Sequence, residues 1–254
     1  MDIKKNYRIS FCTTCMNRLE DLKITLPFNI SANQDYANLE FVLLDYNSSD
    51  GLEAWIRRRM MRHIENGRLI YYRLDGPKYY DMCPSRNIAF KLATGDIVNN
   101  LDADNFTSNG TPVTMSWATW LNRTANNSPY KTVFIKSMQL SIIHGRIGFH
   151  KKAFVELLGG YDEDLVGYGH DDQNIVERAL ALGFHLRKWG GSYFYRIQTR
   201  EKKNDNLLRP WEETRAQNKK LTIEKLARGE YKANEGREWG KATVIRNFTE
   251  EIQI

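Results

Sequence analysis

The sequence predicts an α/β protein built on a mostly parallel central sheet with helices on both faces. Three observations carry that expectation. Near-continuous apolar runs read as strands buried on both faces. They alternate with helical stretches over the first hundred residues, the pattern of a βαβ-wound sheet. A pair of carboxylates, Asp102 and Asp104, then sits just past the fourth such run.

The first strand is expected over Tyr7 to Cys12, followed by a polar turn and a helix from Arg18 to about Leu26. Leu39 to Leu44 is an almost unbroken apolar run and reads as the second strand. The polar cluster from Asp45 to Gly51 closes it and caps a helix from Leu52 to Ile64, terminated by Gly67. Arg68 to Tyr72 gives a third, short strand, Ser85 to Ala93 a helix stopped by Gly95, and Asp96 to Leu101 the fourth strand. Beyond it the sequence predicts a helix over 115–125 and strands over Thr132 to Ile135 and Ile147 to Phe149. Helices over Lys151 to Leu158 and Asp171 to Leu182 follow, with a last strand from Phe184 to Trp189. From residue 206 the pattern turns charged and helical, clearest over Trp211 to Ala227. The expected organisation is one domain over 1–205 and a helical extension over 206–254 packed on it.

The 254 residues are enough for one such domain. Hydrophobic and charged shares of 41% and 27% are ordinary for a globular chain, and no run approaches the ~18 apolar residues of a membrane span. The first six residues lack the apolar core of a signal peptide, so a cytoplasmic location is expected. A net charge of +6 favours anionic partners: nucleoside diphosphates, nucleic acid or an acidic membrane surface; of these a nucleotide-sugar is the expected partner, with peripheral membrane contact allowed and nucleic acid not expected. Three cysteines argue against a disulfide framework. Cys12-Thr13-Thr14-Cys15 has redox spacing, but no aromatic residue or proline flanks it as in thioredoxin-like motifs.

Chemistry concentrates at the strand ends. Two carboxylates two residues apart at the tip of a buried strand form a hard-oxygen site able to hold Mg²⁺ or Mn²⁺ against a diphosphate. Neither a G-x-G-x-x-G fingerprint nor a P-loop is present, so phosphate charge must be met by a metal instead. Thr13 to Arg18 after the first strand, Asp45 after the second and Asp102/Asp104 after the fourth lie along one sheet edge, where open α/β sheets bind ligands. There Asp45 would accept hydrogen bonds from a base or ribose, and Arg18 and Arg86 would pair with phosphate oxygens.

These motifs resemble the glycosyltransferases of GT-A fold. Ile9 to Arg18 is similar to their first strand and nucleotide loop, and Leu43 to Gly51 to the family-two pattern of an Asp, a small polar turn and Asp-Gly. Cys83-Pro84-Ser85-Arg86-Asn87, Thr94-Gly95-Asp96 and Leu101-Asp102-Ala103-Asp104 complete that likeness. Gly145 to Phe154, Gly159 to Asp164 and Gly167-Tyr168-Gly169-His170-Asp171-Asp172 resemble the β-1,4-galactosyltransferases and their N-acetylhexosamine-transferring relatives. The resemblance spans roughly residues 7 to 204.

The resemblance implies Asp172 as catalytic base and Tyr168 and Asp171 as acceptor-binding residues. It implies donor contacts from Thr13, Thr14, Arg18, Asp45, Arg86, Asp102 and Gly145, and Mn²⁺ or Mg²⁺ on Asp104 and Gln198. Gln198 stands where the family has a His ligand and Tyr195 where it has a Met, so the coordination sphere departs from the family's. His144 and His170 are alternative ligands by type. The expected function is metal-dependent, inverting transfer of a hexose or N-acetylhexosamine from a UDP-sugar to a saccharide or other acceptor hydroxyl. The alternatives are a retaining transferase, a nucleotidyltransferase, or a non-catalytic carbohydrate- or nucleic-acid-binding module.

Overall fold

The computed structural model describes residues 7–107, 111–112, 115, 130–135, 146–188, 194–197 and 205–254. Its centre is four parallel strands in the order β3-β2-β1-β4, namely β1 (Ile9–Cys15), β2 (Leu39–Tyr46), β3 (Leu69–Leu74) and β4 (Ile97–Asn100). Every residue of β1 and β2 is buried, as a strand covered on both faces requires. α1 (Leu19–Ala32), α2 (Leu52–Arg59) with the short α3 (Met61–Glu65), and α4 (Met82–Leu92) make the crossovers. The expected helix over Leu52 to Ile64 is therefore two pieces that meet at Met60.

The chain lays β2 and β3 to one side of β1 and then returns to place β4 on the other. That reversal leaves a crevice beyond the carboxyl ends of β1 and β4. On the β4 side β7 (Ile147–His150) adds antiparallel, then β6 (Thr132–Ile135) and β8 (His185–Lys188). α5 (Lys151–Glu156) and α6 (Asp171–Ala181) belong to this half. A separate pair, β5 (Asn105–Thr107) with β9 (Phe194–Arg196), leaves directly from the acidic turn.

The C-terminal stretch is not uniformly helical. α7 (Trp211–Ala227) is followed by a hairpin, β10 (Thr243–Arg246) and β11 (Glu250–Gln253), which joins the main sheet by pairing β10 antiparallel with β3. Its strands are short and charged, so they lack the apolar run that marks the buried ones. The sheet thus has nine strands among the described residues. The expected helix over 115–125 lies outside them apart from Met115.

Two apolar cores form, one on each face. One gathers Ile88 to Phe90 of α4 with Phe154 and Tyr161; the other gathers Leu22 and Leu26 of α1 with Trp55 and Ile56 of α2. Strand alternation settles the C-x-x-C pair: three residues apart on β1, Cys12 enters the first core and Cys15 the second. Both thiols are buried and burial pushes their pKa values up, so neither has thiolate character for redox chemistry.

Candidate active site

The crevice holds a solvent-open cleft with about 740 Å³ of empty space. Thr14, Met16 and Arg18 line it from the end of β1, and Asp102, Ala103 and Asp104 from the end of β4. Tyr80 and Met82 come from the entry to α4, Tyr168 from the loop before α6, and Asn206 and Leu207 from the C-terminal stretch.

The acidic turn is fixed through its backbone. Leu101 N–H donates to the Cys12 carbonyl at 2.8 Å and the Thr13 hydroxyl to the Leu101 carbonyl at 2.6 Å, tying the end of β4 to β1. Thr25 of α1 donates to the Ala103 carbonyl at 2.6 Å, and Asn105 N–H closes a turn on the Asp102 carbonyl at 2.9 Å. With the main chain held, both carboxylates face the cleft edge, their side chains 35% and 21% exposed. Asp102 accepts from Asn100 Nδ2 at 2.8 Å and Arg86 Nη2 at 3.3 Å. Arg18 Nη2 lies 4.0 Å from Asp104, and Arg18 Nε pairs with Asp21 at 2.6 Å. Burial, followed by the neighbouring charge of Asp102, raises the Asp104 pKa to about 6.

Arg86 joins the two halves of the site. It is a fully buried residue of α4, and its guanidinium pairs with Asp171, with Asp172 Oδ1 at 2.7 Å and with Asp102 Oδ1 at 3.3 Å. Three carboxylates brought together with little water need a charge of this kind. Asp171 and Asp172 open α6, where the helix dipole also favours negative charge.

The structure brings Thr14, Arg18, Asp102, Asp104 and Tyr168 to the cleft and redirects others. Thr13 is spent on the Leu101 carbonyl. Asp45 is fully buried and points to β3, accepting from the Tyr71 hydroxyl at 2.7 Å, Arg73 at 2.9 Å and Ser48 N–H at 2.7 Å. It braces strands and is not presented to a base or ribose. Arg86 is committed to carboxylates, so it is not an open phosphate ligand here. Asp171 and Asp172 are buried behind the cleft lining, held by that same arginine. Gly145 and Gln198 lie outside the described residues, as does His144. Gln198's neighbour Ile197 donates its N–H to the Asp104 carbonyl at 2.7 Å.

Sequence reasoning missed Met16, Tyr80, Met82, Asn206 and Leu207. Tyr80 hydrogen bonds with Thr14 and stacks edge-on against Tyr46 at 5.8 Å. Asn206 donates to the Met16 carbonyl at 3.0 Å, accepts from Asn17 Nδ2 at 2.8 Å and receives Tyr80 N–H at 2.7 Å on its carbonyl. An aromatic pair just before a helix start was a usable signal for Tyr80. Nothing local marks an asparagine whose partners lie near residue 17.

Residues 10–111 match the model of glycosyl transferase family 2. No curated protein matches the chain by sequence. Among solved structures, the mannosyltransferase PcManGT from Pyrobaculum calidifontis, in complex with GDP-Man and Mn²⁺, superposes with a TM-score of 0.67. It is 21% identical over 89% of this chain and 66% of its own. S. aureus TarS 1-349 in complex with UDP-GlcNAc gives 0.57 at 14% identity, over 77% of this chain and 60% of its own. GalNAc-T7 with UDP, GalNAc and Mn²⁺ gives 0.59 at 15% identity, over 77% and 45%. The fold is GT-A. The chain spans between 45% and 66% of the length of these GT-A structures. The family match ends at residue 111, and the galactosyltransferase-like reading of the second half rests on its motifs alone.

Among the described residues no cluster of three or more His, Cys, Asp or Glu side chains forms a ready-made metal site. Asp102 and Asp104 alone still suit a divalent ion of the Mg²⁺ or Mn²⁺ type, which takes one or two carboxylates and completes its sphere with phosphate oxygens and water. Burial and the neighbouring Asp102 charge, which raise the Asp104 pKa, are effects that a bound cation would oppose. No described helix is long and apolar enough to cross a membrane.

Proposed function

We propose that this protein is a metal-dependent, inverting glycosyltransferase that moves a hexose or N-acetylhexosamine from a UDP-sugar to an acceptor hydroxyl. The observation that carries the reading is one cleft at the switch point of a GT-A sheet, edged by Asp102 and Asp104 and backed through Arg86 by Asp171 and Asp172. GDP-Man in PcManGT and UDP-GlcNAc in TarS support a nucleotide-sugar donor, and the Mn²⁺ in PcManGT and GalNAc-T7 supports a divalent cation.

Asp104, with Asp102 beside it and Gln198 as the further ligand the family motif suggests, would hold the cation at the diphosphate. When bound, such an ion would supply positive charge against the charge building on the departing diphosphate. Arg18, beside Asp104, faces the same phosphates. Thr14 and Tyr80 wall the nucleotide side, and Tyr168 offers a ring face to a sugar. Asp172, paired with Arg86, would take the acceptor hydroxyl's proton on a carboxylate oxygen.

Incubation with UDP-galactose, UDP-GlcNAc, UDP-GalNAc and GDP-mannose in the presence of Mn²⁺ tests the reading by nucleoside diphosphate release. Asp104→Ala is expected to lower Mn²⁺-dependent UDP affinity at least tenfold. Asp172→Asn is expected to keep that affinity and lose turnover at least a hundredfold. Absence of release from every donor sinks the assignment. An NMR assay showing retained anomeric configuration removes Asp172 as the base.

A further inference from the structure

Helix α7 meets the rest of the protein in an unusual way. A surface helix ordinarily buries an apolar stripe, yet the buried positions of α7 are Thr214, Asn218 and Thr222, spaced i, i+4, i+8 on one face. Burying polar side chains gains little unless they satisfy groups that would otherwise lack partners. The groups that Thr214 and Asn218 meet belong to the segment from Val166 to His170, which carries Tyr168 and leads into Asp171 and Asp172, while Thr222 accepts from Asn174 Nδ2 at 3.1 Å.

That segment is irregular: Gly167, Gly169 and His170 all adopt positive φ, at 69°, 97° and 65°. The segment forms no helix or strand of its own, so its carbonyls must find partners elsewhere. Asn218 Nδ2 donates to the Val166 carbonyl at 3.1 Å and the Gly169 carbonyl at 2.9 Å. The Thr214 hydroxyl donates to the Tyr168 carbonyl at 2.8 Å. Met82 N–H takes the Gly167 carbonyl at 3.2 Å and Asn174 N–H the His170 carbonyl at 2.9 Å. Asn218 Oδ1 also accepts Val166 N–H at 3.2 Å. All five consecutive carbonyls are thereby accounted for, three of them by α7. The fit is close: a Cβ on Gly167 would lie 3.1 Å from Thr214 Cγ2, and one on Gly169 3.0 Å from Arg215 Cβ.

We propose that Thr214 and Asn218 are positioning residues that hold the Tyr168–Asp172 segment in its working geometry, making α7 a functional part of the acceptor side. The functional half of this statement rests on the glycosyltransferase reading above; the mechanical half does not. Neither residue lines the cleft, so the nucleotide side should be indifferent to them.

The test compares Asn218→Ala, Thr214→Val and Thr214→Ser with Ile223→Ala, an exposed position on the same helix that serves as control. Calorimetry with UDP and Mn²⁺ should give affinities within twofold of the parent for all four. Release of UDP or GDP from the donor that the parent turns over fastest should fall at least tenfold in kcat for Asn218→Ala and Thr214→Val, with donor KM unchanged. Thr214→Ser keeps the hydroxyl and should recover to within threefold. By NMR, the Val166 amide should exchange at least tenfold faster in Asn218→Ala while the Val42 amide in β2 is unaffected. Unchanged Val166 exchange, or exchange that rises equally at Val42, overturns the proposal, as does full turnover in both variants. If the parent turns over no donor, the functional reading fails while the exchange comparison still decides whether α7 holds the segment.

Discussion

Arg86 Nη1 lies 2.7 Å from Asp172 Oδ1, and the same guanidinium reaches Asp102 at 3.3 Å through Nη2. One buried cation on α4 therefore touches both the acidic turn after β4 and the first turn of α6. A lysine cannot span these partners, because a single ammonium lacks the planar fork. Arg86→Lys is expected to lower turnover at least a hundredfold and to destabilise the fold by about 3 kcal/mol through carboxylates left without a full partner. A double-mutant cycle of Arg86→Met with Asp172→Asn, read by chemical denaturation, should show coupling of at least about 1.5 kcal/mol. Additive effects would mean that the pair is not coupled.

Asp45 gives the opposite expectation. Its carboxylate serves Tyr71, Arg73 and Ser48, so Asp45→Ala should cost about 2–4 kcal/mol by stranding those donors. UDP affinity measured in Mn²⁺ at a temperature where the variant is folded should stay within twofold. A large loss of affinity without loss of stability would restore the nucleotide role.

Asp81 sets a pH dependence. It precedes α4 with Oδ1 buried and lacking a hydrogen-bond partner, and desolvation raises its pKa to about 7. An acid whose pKa rises on folding binds more protons in the folded state. Its contribution is therefore most favourable near pH 4 and declines as the pH rises to about 7. The whole shift corresponds to at most about 4 kcal/mol. Asp81→Asn should flatten the stability profile across that window and gain stability relative to the parent at pH 8. Parallel denaturation curves at pH 5 and pH 8 for both proteins measure it.

The cysteines should be silent. Cys12, Cys15 and Cys83 are all buried, and burial raises each thiol's pKa. A thiol reagent such as dithionitrobenzoate should label none of them in minutes in the native protein and all three in guanidinium chloride. Rapid native labelling of Cys12 or Cys15 would reopen the redox reading.

The fold was legible where burial dictates the residue choice. β1 and β2 are covered on both faces, so their apolar runs announce them, and the acidic turn stands out because it ends such a run. β10 and β11 were illegible for the converse reason: β11 is the outermost strand and β10 lies between it and β3, and with only Val244 buried between the two they carry charges like a loop. At the site, Asp102, Asp104 and Tyr168 line the cleft, whereas Asp45 and Arg86 are buried and paired with protein groups. Side chains able to grip a nucleotide can equally grip each other, and only the third dimension shows which partner is nearer. The seam of Thr214, Asn218 and Thr222 was hidden because a helix that buries polar residues has no apolar periodicity to detect.

Asn206 laces the turn after β1 to the entry of α4, with Met16, Asn17 and Tyr80 all fastened to one side chain and its carbonyl. Closing a loop of this sequence span is slow and entropically late. One wall of the cavity is thus supplied from far along the chain, so the outline of the cleft depends on the stretch beyond residue 205 as much as on the strand ends that carry its carboxylates.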